Sequence, residues 1–270
     1  MKFVQSQKNK SAACRVLGIN RSTIYYKKKR KPDELEQSVI DIFKKHNSNY
    51  GSRRIKFILN RQGTTISKTR ICNILKRNSL ESKYGRKKLT RNIYTNKDER
   101  YISENLIKNV VATKPNQIVH TDFTEFKYNG GKLFVSGIVD AFDRTAVIAW
   151  DTRATKELVI QTINLLPVKP EILHSDRGSQ YTSDLIREYA EVNNIKRSMS
   201  APHRPCENAC IETFWKTMKT EIGSTKHLTE YQLKLVLCYQ LYYYNNERIH
   251  SSINYLTPYE KRALSFRNVS

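Results

Sequence analysis

The sequence has 270 residues, of which 39% are hydrophobic, and a formal net charge of +23. This length suits one large domain or two to three small ones. No uninterrupted apolar run approaches the roughly 20 residues that a transmembrane helix needs, and the N-terminus lacks the apolar segment of a signal peptide. The five cysteines are an odd number without the spacing of a small disulfide scaffold. We therefore expect a cytoplasmic protein with reduced thiols and no membrane partner.

The positive charge is concentrated at the N-terminal end. Residues 1–100 contain 27 Lys and Arg against 7 Asp and Glu, whereas residues 101–270 contain 21 against 18. The basic residues interrupt short helical patterns instead of lining one long amphipathic helix, which argues against a membrane surface. Because phosphate neutralisation supplies most non-specific affinity for nucleic acid, we expect the first hundred residues to bind DNA.

Residues 11–26 have the pattern of two short helices separated by a turn at Gly18. Apolar residues on both sides of the turn suit the two crossed helices of a helix-turn-helix, and Ser22 lies at the start of the second helix. The sequence predicts a helix-turn-helix and a basic linker over residues 1–32, with Arg21 and Ser22 in contact with DNA. An ordinary helical hairpin is the alternative interpretation of this pattern.

Residues 33–80 predict a second helical unit. Apolar residues recur every three to four positions at its start, and Ser67 has the position of an N-cap for its last helix. The unit resembles a winged or trihelical DNA-binding module, with a basic, solvated helical spacer as the alternative. Four of its basic residues are predicted to contact phosphates: Arg53, Arg54, Lys68 and Arg70. Residues 81–114 are predicted to be a linker.

From residue 115 onward the basic excess ends and strand patterns begin. The predicted order over residues 115–225 is three strands, a helix, a strand, a helix, a strand and a helix, with a hairpin turn at Asn129-Gly130. This order is typical of a ribonuclease H-like fold, in which helices flank a mixed sheet. We therefore predict an α/β core of this type as the catalytic domain, preceded by all-α helix-turn-helix units. Residues 226–270 are predicted to be a C-terminal helical tail.

Three acidic residues have positions that favour metal chemistry. Asp122 lies within an alternating strand pattern, Asp176 follows a short apolar strand, and Glu212 lies on the last helix of the core, with 35 residues between it and Asp176. Taken singly, an aspartate at a strand end is more often a cap, and Glu212 with Lys216 forms a possible surface ion pair. Together, the three carboxylates can hold two hard divalent cations, which activate water for attack on a phosphate.

The helix of Glu212 also carries two basic residues on the same face. Lys216 and Lys219 follow Glu212 by four and seven positions, and this spacing places all three along one side of a helix. Such a face brings two positive charges close to the reacting phosphate. We predict that both lysines contact DNA near the cleaved phosphate.

Five segments, in this order, resemble the second-reading-frame product of the IS-three family of bacterial insertion-sequence transposases, which are relatives of retroviral integrases. The segments are Tyr50–Ile55, His120–Thr124, His174–Tyr181, Glu207–Glu212 and the set Tyr244, Asn245, Arg248, His250, Thr257 and Pro258. Each segment alone is weak, whereas the ordered set is highly specific and covers nearly the whole chain. The sequence departs from the family pattern at Glu207, where the family usually has Asp, and at His120, where it usually has Trp.

The resemblance implies a DNA transposase whose catalytic and metal-binding triad is Asp122, Asp176 and Glu212. In such an enzyme, metal held by the two aspartates activates water for strand cleavage at the element end and then the released 3′ hydroxyl for strand transfer, while Glu212 completes the second metal position. The implied cofactor is Mg²⁺, with Mn²⁺ as a substitute and two ions per active site.

The resemblance also implies partners. They are double-stranded DNA, at the element ends and at the target, and further copies of the chain assembled on that DNA. A fusion with, or a partner from, an upstream reading frame is implied as well. The expected location is the bacterial nucleoid within the cytoplasm.

Two other functions stay open from the sequence. A ribonuclease H-like nuclease or resolvase without transfer activity has no need of two N-terminal DNA-binding units. A non-enzymatic DNA-binding regulator has no need of three acids in these positions. Metal-dependent cleavage of a labelled DNA end separates the enzymes from the regulator, and joining to a second DNA separates the transposase from the nuclease.

Overall fold

The computed structural model of the chain describes residues 9–22, 34–84, 102–201 and 205–267. Its first helix, α1, spans Lys10–Val16 and ends before Gly18, whose φ of 60° is left-handed. Arg21 and Ser22 are helical, and the Asn20 side chain accepts hydrogen bonds from the backbone N–H and the hydroxyl of Ser22. The rest of the second helix predicted for residues 1–32 lies outside the described residues.

Three helices form the second helical unit: α2 (Glu36–Lys45), α3 (Ser52–Arg61) and α4 (Lys68–Arg77). Ser67 caps α4, as the sequence predicts, because its side chain accepts a hydrogen bond from the backbone N–H of Arg70. The three helices bury one apolar cluster, which includes Val39, Phe43, Ile55, Leu59, Ile71 and Ile74. This unit therefore has a packed apolar core and is not a solvated helical spacer.

A five-stranded mixed sheet forms the centre of the larger unit. Its strands are β1 (Ile118–Tyr128), β2 (Gly131–Asp140), β3 (Ala146–Asp151), β4 (Ile172–Ser175) and β5 (Lys196–Met199). The spatial order is β3-β2-β1-β4-β5; β1, β2 and β3 are antiparallel, whereas β4 is parallel to β1 and to β5. The mixed sheet with flanking helices confirms the predicted ribonuclease H-like fold.

Helices cover both faces of this sheet. On one face, α5 (Lys156–Asn164) and α6 (Asp184–Val192) bury Val159, Ile163, Ile186 and Ala190. On the other face lie α7 (Ala209–Ile222) and α8 (Glu230–Asn246), which bury Ile211, Phe214, Met218, Leu233, Leu237 and Tyr244. A 3₁₀ turn at Pro205–Asn208 precedes α7.

The C-terminal segment belongs to both cores and is not a free tail. Besides α8 it contains a 3₁₀ turn, Ser251–Ile253, and α9 (Pro258–Arg267). The Asn245 side chain accepts a hydrogen bond from the backbone N–H of Ala146 and donates one to its carbonyl, both 2.9 Å long, so α8 is fixed to the start of β3. Ile249 then packs into the core of the second helical unit.

No helix within the described ranges has the length and hydrophobicity needed to cross a membrane.

Candidate active site and nucleic-acid interface

Two neighbouring parallel strands bring the predicted aspartates to one edge of the sheet. In the register of β1 and β4, His120 is paired with His174. Asp122 and Asp176 each lie two residues further along, so their side chains emerge side by side on the same face. Asp176 follows the last residue of β4, and its carboxylate accepts a hydrogen bond of 2.9 Å from the Gly178 N–H.

The electrostatics of Asp122 place the other two acids within range of its carboxylate. Burial and the nearby Asp176 carboxylate, with a smaller contribution from Glu212, raise the pKa of Asp122 to about 7. Burial also raises the pKa of Asp176. The pKa of Glu212, which is more exposed, is raised by the partial loss of its water. Negative charge is therefore disfavoured here unless a cation compensates it.

A glycine lets the Glu212 helix approach the sheet beside Asp122. Gly137 on β2 is the cross-strand partner of Asp122, and a Cβ atom at Gly137 would lie 2.5 Å from the Trp215 ring of α7. Trp215 follows Glu212 by three residues, so the two lie on neighbouring turns of the same helix. The absence of a side chain at Gly137 is thus what allows α7 to lie close to β1 beside Asp122.

The donor chemistry of the three acids suits Mg²⁺ or Mn²⁺, which prefer carboxylate oxygens. The effect of Asp176 and Glu212 on the Asp122 pKa, which adds to that of burial, also fits a site that holds cations. Across the described ranges, however, no three His, Cys, Asp or Glu side chains converge closely enough to enclose a metal ion. The acids therefore form an electrostatically coupled group, not a closed cage.

Two buried histidines lie behind the aspartates. His120 and His174 are in edge-to-face contact, 5.3 Å between ring centroids, and burial lowers the pKa of each to about 4. His120 Nδ1 is 3.0 Å from the Asn208 side-chain oxygen, and His174 Nδ1 is 2.9 Å from the Ser198 hydroxyl. His120, the residue that departs from the family pattern, thus ties β1 to the residue that precedes α7.

The two predicted lysines of α7 differ in their surroundings. Loss of water lowers the pKa of Lys219, while Glu125 and Asp122 oppose this effect, so its ammonium group lies within electrostatic reach of Asp122. Its Nζ atom is 5.8 Å from the centre of the Phe126 ring. Both side chains are exposed to solvent, and Lys216 lies one turn closer to Glu212.

Of the DNA contacts predicted in the N-terminal units, all but one are on the surface. The exposed residues are Arg21, Ser22, Arg53, Lys68 and Arg70. Arg54 instead turns inward: its guanidinium lies 5.3 Å from the centre of the Tyr50 ring and donates to the carbonyl of Asn49. Arg54 therefore does not share the open surface of Arg53.

A polar cluster that is buried except at Tyr84, and that sequence reasoning missed, joins the helical unit to the core. We call it the Glu221 cluster: Tyr84, Glu221, Gln240 and Arg248. The Glu221 carboxylate accepts hydrogen bonds from the Tyr84 hydroxyl (2.6 Å), Gln240 Nε2 (2.7 Å) and Arg248 Nε (2.8 Å). One sign of this cluster was present in the sequence, because Arg248 belongs to a segment that resembles the family. That resemblance did not indicate that Arg248 binds Glu221.

Family models match four parts of the chain. A model described as HTH-like domain matches residues 30–88, and one described as bacterial regulatory protein, Fis family, matches residues 5–30. Two models described as integrase core domain match residues 112–205 and 193–258. The last match includes α8, in agreement with its place in the core of the sheet.

Curated bacterial proteins are similar over nearly their full length. InsK of insertion sequence element IS150 is 29% identical, over 92% of this chain and 91% of that protein, and transposase InsF of IS3A is 28% identical, over 96% and 97%; both are from Escherichia coli (strain K12). The uncharacterized 31 kDa protein of insertion element IS600 from Shigella sonnei is 30% identical over 91% of this chain and 95% of that protein. The chain belongs to the IS-three family of insertion-sequence transposases.

The fold of this transposase also occurs among solved structures. A chain of the simian T-cell lymphotropic virus intasome, solved by electron cryomicroscopy in complex with PP2A regulatory subunit B56 gamma, is 17% identical with a TM-score of 0.50, over 83% of this chain and 74% of that chain. The transposase is an enzyme of the DDE type, as its integrase core indicates, and its helix-turn-helix units indicate DNA binding.

Proposed function

We propose that this transposase cleaves DNA at the ends of its insertion sequence and joins the released ends to target DNA, with Asp122, Asp176 and Glu212 as the catalytic triad. The observation that carries the proposal is the parallel pairing of β1 and β4, which brings Asp122 and Asp176 to one sheet edge, where burial, then Asp176 and Glu212, raise the pKa of Asp122. Carboxylates that repel one another in this way are suited to binding cations.

Asp122 and Asp176 would hold one divalent cation, and Glu212 would complete the position of a second. When bound, two Mg²⁺ ions, or Mn²⁺ in their place, activate the attacking oxygen and stabilise the leaving oxygen of an in-line displacement. Lys219 supplies positive charge to the scissile phosphate from the side of Asp122. The neutral imidazoles of His120 and His174 hold the aspartate strands without adding charge to the site.

DNA would be held by surfaces on both units. Arg53, Lys68 and Arg70 on the second helical unit, with Arg21 and Ser22 on the first, contact the duplex of the element end. Lys216 and Lys219 contact the strand near the cleaved phosphate. We further propose that the active form is an oligomer of this chain on DNA, joined to or partnered by the product of an upstream reading frame.

The test is cleavage and joining of a labelled duplex that carries the element end, in the presence of Mg²⁺. Asp122→Asn, Asp176→Asn and Glu212→Gln each keep the side-chain shape and remove the charge, so we expect each to abolish both reactions while duplex binding persists. Asp184→Asn is the matched control, because Asp184 is an exposed acid that pairs with Arg187 on α6. Substantial joining by any triad variant would remove that residue from the assignment.

The same assay separates the alternatives. Cleavage without joining would indicate a nuclease or resolvase. DNA binding without either reaction in the wild type, under conditions that support a related transposase, would indicate a regulator.

A further inference from the structure

A cavity of about 780 Å³ lies beside α7, on a side of the helix that does not carry Glu212. Its walls are the segment of residues 105–112, the residues Cys210, Phe214 and Thr217 of α7, and the turn that follows α8. Within the described chain, the residues that line it include no member of the proposed triad. His120 and Thr213 also line it, so the cavity adjoins the surroundings of the triad without including its carboxylates.

Positive charge dominates the walls of this cavity. Four basic side chains line it, namely Arg54, Lys108, Arg144 and Arg248, against the single carboxylate of Glu207. His250 also lines it and is held neutral, because burial and the guanidinium groups of Arg248, Arg54 and Arg144 keep its pKa well below its usual range. An anion would relieve the mutual repulsion of the guanidinium groups.

Two of these arginines have donor groups available. Arg248 is paired with Glu221, whereas the ion pairs within the described ranges include no carboxylate bound to Arg54 or Arg144. Arg144 donates to Cys210 Sγ at 2.6 Å, and its buried Nε atom has no hydrogen-bond partner among the described residues. Arg54 makes one long bond, 3.4 Å, to the Asn49 carbonyl. Buried donors without partners are uncommon in native proteins.

We propose that this cavity binds the phosphate backbone of a single DNA strand and is a DNA site separate from the triad. The planar fork of an arginine matches the oxygens of a phosphate, which makes Arg144 and Arg54 the expected phosphate contacts. The volume is that of a small-ligand site, so a few nucleotides of one strand can enter whereas a duplex cannot. At the rim, the exposed side chains of Val110 and Val111 offer contact to sugars and bases without a pattern of base-reading groups.

The experiment measures binding of a short fluorescein-labelled single strand to the full chain by anisotropy. All samples contain a chelator and no divalent metal, so metal bound by the triad cannot contribute to strand binding. Arg144→Gln and Lys108→Gln should each weaken binding about 3- to 10-fold and reduce the slope of log affinity against log salt by about 0.7 per lost phosphate contact. Arg144→Gln could unfold the protein, because Arg144 is partly buried. Lys108 is exposed, so Lys108→Gln tests the cavity without disturbing the fold.

Arg153→Gln is the matched control, since Arg153 is an exposed arginine outside the cavity. If Lys108→Gln and a folded Arg144→Gln bind the strand as the control does, the proposal is overturned. A second pair of results would also overturn it. If inorganic phosphate raises the thermal midpoint of the wild type but not that of Arg144→Gln, and the two proteins bind the DNA strand equally well, the cavity takes free phosphate and not DNA. This binding measurement is independent of the cleavage and joining assay proposed for the triad, so a negative result in that assay would not change its interpretation.

Discussion

Replacing Arg248 by methionine tests how much the Glu221 cluster contributes to the stability of this transposase. The Arg248 and Glu221 side chains are 4% and 0% exposed, and their closest atoms are 2.8 Å apart. Removal of one partner of a buried ion pair typically costs about 3–5 kcal/mol, because the other charge stays buried. Since Tyr84 and Gln240 still donate to the Glu221 carboxylate, we expect a loss at the lower end, about 3 kcal/mol.

Urea denaturation of the full chain measures this loss as a change in the free energy of unfolding. The control is Glu171→Gln, which breaks an exposed pair of similar length, Lys114 with Glu171 at 2.6 Å, and should cost under about 1 kcal/mol. In a double-mutant cycle, Arg248→Met combined with Glu221→Gln should cost at least about 1 kcal/mol less than the sum of the single changes.

Two results would refute this reasoning. If Arg248→Met cost no more than the exposed control, the pair would contribute nothing beyond a surface contact. If the two single changes were additive, Glu221 and Arg248 would act independently despite their short distance.

Three further predictions concern the site and the contact between units. Gly137→Ala should lower end cleavage and destabilise the core by about 1–3 kcal/mol with duplex binding unchanged, because the new methyl group displaces the Trp215 ring; normal cleavage would contradict this. His46, whose pKa burial lowers from 6.5 to about 4, contributes stability above pH 6.5 that is lost as the pH falls towards 4. His46→Gln should therefore flatten the decline of the thermal midpoint over this interval, and an unchanged slope would oppose the assignment. The pKa of Asp122 is raised from 3.8 to about 7, so this residue contributes stability below pH 3.8 that is lost as the pH rises through 7. In the absence of metal, the thermal midpoint of Asp122→Asn should therefore exceed that of the wild type at pH 8 and equal it near pH 4.

The strands and helices of the core were predictable because their signals are local. Alternation marks β1, the Asn129-Gly130 turn separates β1 from β2, and the side chain of Ser67 caps α4 as expected from its position. The adjacency of β1 and β4, which brings Asp122 and Asp176 together, was also predictable, since the order of strands in this fold class places the first beside the fourth. The catalytic role of the triad stays a prediction. Sequence reasoning thus succeeded where a periodic pattern or a known order decided the outcome.

Contacts between distant parts of the chain were not predictable in the same way. Arg54 and Arg53 are adjacent basic residues, and only the packing of α3 against Tyr50 and the C-terminal segment turns Arg54 inward. No pattern in the sequence singles out Glu221, which lies near the end of α7. Its burial depends on Tyr84 and Arg248, which lie far from it in sequence, so no local pattern carries the information.

The sharing of the C-terminal segment between two cores has a consequence for synthesis on the ribosome. The second helical unit leaves the ribosome early, but Ile249, which completes its core, follows about 170 residues after Leu80. At bacterial rates of roughly 5–20 residues per second, the basic unit waits on the order of 10–30 s for this partner. The nascent chain thus acquires its finished DNA-binding unit only when the catalytic unit is nearly complete.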